Sequence, residues 1–316
     1  MRQLFSFIFP DQASNLAPSV DAIFFALVVL CSVITLLVFV VALFFCVRFR
    51  RGSKVDRTPP KGGTLRFEIA WTLIPFFVFC GLFFWAADVY FAMSRPPGGA
   101  TEIHVVGKQW MWKIQHPDGR REINELHVPV GRPVKLIMTS EDVIHDFFVP
   151  AFRAKQDVVP GRYTTEWFTP TKPGRYHLFC SQYCGTNHST MVGWVYVMEP
   201  AEHARWLNQV AVSESLVAEG ERHFHSRGCS GCHAPNSQIH APLLEGIYGK
   251  PVPLSDGTIV IADEQYLRDS ILLPNKQVAA GYEPIMPTFQ GRISEEEVNA
   301  IVAYLKHLTD SERSQQ

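Results

Sequence analysis

A chain of 316 residues has room for two or three domains, and its formal net charge of −1 gives it no polyelectrolyte character. Whole-chain charge thus says little about partners, and no nucleic-acid partner is expected. The informative asymmetry is local. From Ala22 to Val47 there are 26 residues without a charge, and from Ile69 to Ala87 there are 19 more. Each run is long enough to cross a hydrocarbon core of about 30 Å as a helix. Pro75 lies inside the second run, where a membrane bundle tolerates it.

The loop between the runs, residues 48–66, carries Arg48, Arg50, Arg51, Lys54, Arg57, Lys61 and Arg66 against Asp56 alone. The tail ahead of them has Arg2 against Asp11 and Asp21. Positive charge stays on the cytoplasmic side, so loop 48–66 is expected in the cytoplasm and both termini outside. A cleaved leader would carry its positive charge before the apolar run, and here the charge follows it. Cys31, Cys46 and Cys80 fall in the apolar spans and read as small buried hydrophobes. Cys180, Cys184, Cys229 and Cys232 fall on the outer side. A disulfide framework is one option there, but it leaves the His and Met residues spaced beside each pair unexplained.

After the breaker cluster Arg95-Pro-Pro-Gly-Gly the pattern changes to short β-type runs at 102–106, 134–138, 164–168, 174–179 and 192–197, separated by Pro/Gly turns. They predict a β-sandwich or barrel over 96–200. Residues 201–212 predict a short helical linker, and the periodicity from 213 to 316 is helical. Helices are expected near 216–224, 264–272 and 294–308, the last opened by a capping box of Ser294 and Glu297.

Cys180-Ser-Gln-Tyr-Cys184-Gly-Thr-Asn-His188-Ser-Thr-Met191 packs two thiols, an imidazole and a thioether into twelve residues. This soft donor set suits copper. Two cysteines four apart can bridge a pair of copper ions, and shared thiolates spread one unpaired charge over both metals. His188 and Met191 come from the same loop, and His145 is the best candidate for the missing imidazole. Zinc would have no use for the thioether, and a one-copper site would use a single Cys. His104, His116, His127 and His177 read as ordinary surface or strand histidines. Trp112 reads as core.

Cys229-Ser-Gly-Cys232-His233 is the haem-attachment pattern: two thiols for covalent attachment and an imidazole for the iron. Met286, followed by Pro287, is the only methionine after residue 198 and the best distal ligand, ahead of His223, His225, His240 and His307. Residues 213–316 contain 14 acidic and 8 basic side chains, an excess that suits a basic donor by electrostatic steering.

A distant His followed by Cys-x-x-x-Cys-x-x-x-His-x-x-Met resembles the copper A domain of cytochrome c oxidase subunit II. Gly107-Lys-Gln-Trp110-Met-Trp112, Glu68-Ile-Ala-Trp71-Thr and Asp157-Val-Val-Pro-Gly-Arg162 resemble further stretches of that family. The resemblance implies one copper on His145, Met191 and both sulfurs, and a second on His188, both sulfurs and the backbone carbonyl of Gln182. It implies Trp110 as the residue where electrons enter and Glu68 near the mouth of a proton path. Gln182 stands where the family usually has the Glu that helps hold an interface magnesium, and Lys108 replaces a common His. The part after residue 213 is similar to a class I cytochrome c: Gly220 and Tyr304 match its crossing helices, and Gly281-Tyr-Glu-Pro-Ile-Met286-Pro its distal loop.

The implied architecture is a multidomain membrane protein. A tail and two-helix transmembrane hairpin occupy 1–95 (helices about 22–47 and 68–91), a cupredoxin-like copper A domain 96–200, a linker 201–212 and an all-α cytochrome c domain 213–316. The implied role is the electron-transfer subunit of a caa-type oxidase in a bacterial inner membrane. Its partners would be subunit I with haem a and a haem–copper centre, subunit III, the bilayer and an electron donor. A copper A subunit of a nitric oxide reductase and a membrane-anchored carrier without a catalytic partner are the alternatives.

Overall fold

The computed structural model describes residues 9–58, 64–209, 215–235 and 237–313. Arg2, Lys61 and the expected boundary between 212 and 213 lie outside the described residues.

Residues 15–95 form a unit of two helices, α1 (Ala17–Arg48) and α2 (Leu65–Ser94). α1 starts five residues before its uncharged stretch and ends one after it, and α2 starts four before and ends seven after. Pro18 stands in the first turn of α1, where a missing N–H costs nothing. Beyond its other end, the Arg57 guanidinium donates to the carbonyls of Phe49 at 3.0 Å and Arg50 at 3.3 Å. Over an 18-residue stretch the mean hydropathy is 3.2 in α1 and 2.0 in α2. Large apolar side chains such as Leu36 and Phe83 point outward, more than half exposed. A helix that is apolar on every side needs lipid around it, so this is a membrane protein.

The second unit opens with ten strands in two five-stranded sheets. They are β1 (Thr101–Lys108), β2 (Met111–Gln115), β3 (Arg121–Ile123), β4 (Glu125–Pro129), β5 (Val134–Ser140), β6 (His145–Val149), β7 (Ala154–Val158), β8 (Thr164–Phe168), β9 (Gly174–Cys180) and β10 (Val192–Met198). One sheet has the order β3-β2-β1-β5-β8 and the other β4-β10-β9-β6-β7. Their inner faces bury Trp112, Phe147, Phe152, Phe168 and Leu178 completely, each worth about 2–3 kcal/mol of transfer free energy. Residues 10–14 belong with this sandwich. Ala13 donates to Ala151 O at 2.9 Å, its carbonyl accepts from Thr171 N at 2.8 Å, and the Ser14 hydroxyl donates to Phe152 O.

A connector helix, α3 (Pro200–Gln209), precedes a helical segment made of α4 (Leu216–Ser226), α5 (Ser230–His233), α6 (Glu264–Leu272) and α7 (Glu295–Arg313). Ser215 and Asp263 cap α4 and α6 by accepting from Ala218 N and Tyr266 N. Ser294 and Glu297 form the expected capping box. A side chain at Gly220 would meet Ala300 O at 1.9 Å, so only glycine lets α4 cross α7 at Tyr304. Two short strands, β11 (Pro251–Pro253) and β12 (Ile259–Ile261), pair in this otherwise helical segment.

The helical segment is docked on one face of the first sheet. Lys306 reaches Glu102 at 2.6 Å and Glu264 at 2.9 Å, Lys113 joins Glu141 to Glu296 at 2.8 Å each, and Arg121 pairs with Glu219. Tyr163 donates its hydroxyl to Asn299 at 2.6 Å and its backbone N–H to Gln265. His104, on the same face, is buried, and burial together with Lys306 pushes its pKa down to about 4. Part of the acidic excess of residues 213–316 is thus spent inside the chain rather than offered to a donor.

Candidate copper and haem sites

The copper candidates sit where the second sheet hands the chain from β9 to β10. Cys180 ends β9 and Met191 immediately precedes β10, and the Cys180 N–H donates to Met191 O at 3.1 Å, closing the neck of the loop. Gly185 turns that loop at φ +116°, a conformation other residues adopt at a cost. His188–Thr190 form a single 3-10 turn. Phe147 pairs with Cys180 across β6 and β9, which sets His145 beside the loop.

Six donors converge. Cys180 Sγ lies 3.8 Å from Cys184 Sγ, 3.9 Å from His145 Nδ1 and 3.2 Å from Gln182 O. Cys184 Sγ lies 3.5 Å from His188 Nδ1 and 3.8 Å from Met191 Sδ. Both cysteines are buried and free. Burial and the neighbouring Cys180 push the Cys184 thiol up to about 12. Two adjacent thiolates cannot persist there unless a cation shares their charge, which is the property of a thiolate-bridged metal site.

The supporting residues escaped the sequence reading. Asp142 accepts from His145 Nε2 at 2.8 Å, leaving Nδ1 facing the sulfurs. The same carboxylate accepts from Gln109 N at 2.7 Å, and Gln109 Nε2 donates to Cys184 O at 2.7 Å. Ser181 donates to Asp146 at 2.6 Å. Only the Asp-x-x-His spacing could have signalled Asp142. Gly107 leaves the gap that the His145 ring fills, 2.9 Å from where a Cβ would stand. Trp112 is core, with its ring edge-on to His145 at 5.9 Å. Trp110 lies half-buried against Gly185, so it borders the copper loop. Glu68 is elsewhere, in the first turn of α2, where Thr64 donates to it at 2.5 Å.

A cavity in the helical segment is lined by Cys229, Cys232, His233 and Met286, with Leu244 and Phe289 among its apolar residues. His233 Nδ1 donates to Pro242 O at 2.8 Å, which leaves Nε2 as the ring's free donor atom for an iron. His240 also lines the cavity and stacks on Tyr282 at 4.9 Å. Of the other histidines considered, His223 is paired with Glu219 and Glu297 outside it, and His225 and His307 are exposed. The cavity offers an apolar bed, two thiols and an imidazole–thioether pair, so the residues fit a covalent haem.

Residues 2–87 match the family described as cytochrome c oxidase subunit II, transmembrane domain, and residues 120–197 its periplasmic domain. Residues 217–309 match cytochrome c. A cytochrome c oxidase subunit 2 from Synechocystis is 31% identical over 261 residues, covering 66% of this chain and 78% of that protein. The chain belongs to the cytochrome c oxidase subunit 2 family. Subunit 2 from Thermostichus vulcanus is 29% identical, over 70% of this chain and 85% of its own length. Subunit 2 from Alkalihalophilus pseudofirmus is 26% identical, over 89% of this chain and 84% of its own. As a member of that family with a fused cytochrome c segment, the chain is an electron-transfer subunit of a haem–copper oxidase. His145, Cys180 and Cys184 fit copper A.

Proposed function

We propose that this chain takes electrons from a donor onto its own haem c, passes them to copper A and delivers them to subunit I, where oxygen is reduced to water with proton pumping. Bound in their sites, a binuclear copper and a haem c would each take up and give out one electron. The observation that carries the reading is the convergence of His145, Cys180, Gln182 O, Cys184, His188 and Met191 at one point of a rigid β framework. Cys180 and Cys184 would bridge the two metals, His145 with Met191 would complete one shell, and His188 with the Gln182 carbonyl the other. Asp142 and Gln109 hold that loop still, so its donors reorganise little when the charge changes. Cys229 and Cys232 would attach the haem, with His233 and Met286 as its axial pair.

The domains run as 1–95, of which residues 10–14 lie against the sandwich, then 96–200, a linker 201–212 and 213–316. Docking through Lys306, Lys113 and Tyr163 replaces a diffusional encounter with a fixed neighbour. Trp110 is the residue where electrons enter the copper loop, and Glu68 serves the proton path. The outer domains face the periplasm, loop 48–66 the cytoplasm, and subunit III completes the complex. Gln182 keeps its carbonyl for copper but offers no carboxylate to an interface magnesium. Low-temperature electron paramagnetic resonance tests the ligand set on the full chain loaded with haem and copper. A seven-line hyperfine pattern that vanishes in Cys184→Ser, with the haem spectrum unchanged, is expected. A four-line pattern in the parent chain means a single copper and overturns it.

A further inference from the structure

A second constellation lies away from both redox sites, where the β2–β3 turn and β4 meet the connector helix α3. Glu122 on β3 faces two imidazoles at once. Its Oε1 lies 2.5 Å from His116 Nε2, and its Oε2 meets His127 Nδ1. The side chains of Glu122, His116 and His127 are 8%, 6% and 12% exposed, so this is an enclosed group rather than a solvated surface. The carboxylate of Glu125, two residues before His127 on β4, joins them. The donor atoms of Glu122, Glu125 and His127 all lie within 4.8 Å of one another.

Glu122 is the hub of the group: both imidazoles and the His127 backbone N–H, at 3.2 Å, turn toward its carboxylate. Glu125 has no ion-pair partner among the described residues. The nearby cation, Arg120, is paired with Asp118 at 2.9 Å and donates to Leu207 O at 2.6 Å. Two carboxylates and two imidazoles therefore meet at one edge of the sandwich, with Glu122, His116 and His127 enclosed and Glu125 on the open side. Four such donors are the number and kind that a tetrahedral divalent ion takes, and the absence of sulfur sets them apart from the soft copper set.

We propose that His116, Glu122, Glu125 and His127 form a binding site for a divalent cation of the zinc class, separate from copper A and from the haem. The ion would be structural. His127 stacks on Trp206 of α3 at 4.6 Å, and Arg120 lies over the same indole at 4.9 Å. Fixing the His127 ring fixes the root of the connector that leads from the sandwich to the haem segment.

Zinc chloride titrated into the full chain in detergent, with copper and haem already loaded, tests this by calorimetry and by X-ray absorption at the zinc edge. One saturable equivalent is expected, with imidazole and oxygen neighbours and no sulfur. Glu122→Gln should abolish it. Glu125→Gln, at an exposed position that cannot unfold the sandwich, should weaken it at least about tenfold. The copper and haem spectra should not change in either variant. No saturable binding, sulfur in the zinc shell, or affinity unchanged in Glu125→Gln would overturn the proposal.

Discussion

The two redox sites of this chain are built in opposite ways. The copper donors come from the ends of two paired strands and one braced loop, and each side-chain donor stands within 4 Å of Cys180 Sγ or Cys184 Sγ. The haem donors come from a four-residue helix and a loop more than fifty residues further on, and they line a cavity. A β framework can pre-arrange small ligands around a small ion. A short-helix segment with few large buried side chains relies on the group it encloses to fill its core. The copper site is therefore expected to keep its shape when empty, and the haem segment to lose stability without haem.

That contrast can be broken from either side. The largest expected effect is at the helix crossing. Gly220→Val drives a side chain into Ala300 O and should cost the haem segment about 3 kcal/mol or more. Calorimetry should show its transition lowered or lost while the copper hyperfine pattern survives. Loss of both together would mean the two segments fold as one.

Acid should act on the interface next. Lys306 joins Glu102 across the interface to Glu264 in its own segment. Burial alone would raise both carboxyls, but Lys306 more than reverses this, holding Glu102 below its ordinary 4.5 and bringing Glu264 from 4.5 to about 2. A depressed carboxyl contributes its stability above pH 4.5 and loses it as the pH falls toward 2. The docked segment should therefore loosen in that window, seen as faster hydrogen exchange around Tyr163 and Asn299. Unchanged exchange down to pH 3 would remove these ion pairs from the account.

A smaller effect is expected inside the sandwich. Glu166 on β8 is buried and its Oε2 has no hydrogen-bond partner among the described residues, so burial raises its carboxyl to about 8. The folded chain holds a proton that the unfolded chain releases above pH 4.5, so stability falls as the pH rises from 4.5 to 8. Glu166→Gln should stabilise the sandwich by about 2 kcal/mol at pH 8 and by much less at pH 5. Equal gains at both would mean that packing rather than charge is responsible.

Much of this was legible in the residues, because it is written locally. Uncharged runs marked the membrane helices, and the two cysteine strings marked both sites. Ser294 with Glu297 marked the start of α7, and 264–272 was read with its observed bounds. Strands β2, β3, β4, β6 and β7, three to five residues each, were not read as strands. The docking face was silent too. Lys113, Tyr163 and Lys306 meet partners more than a hundred residues away, and no local period encodes such a meeting. His116 and His127 read as ordinary histidines because Glu122, which joins them, becomes a neighbour of both only when β3 and β4 are in place. Residues 10–14 were read as a tail, yet Ala13 is held between Ala151 and Thr171 by backbone hydrogen bonds that a sequence does not display.

The account stands on an electron moving within one chain, from the docked haem segment to the copper loop. Photoreducing haem c in the full chain, and following the copper A absorbance at several protein concentrations, tests this most directly. One first-order rate, independent of concentration and slowed when Lys306→Glu undocks the segment, is the predicted result. A rate that rises in proportion to protein concentration would contradict it, because the electron would then be crossing between molecules.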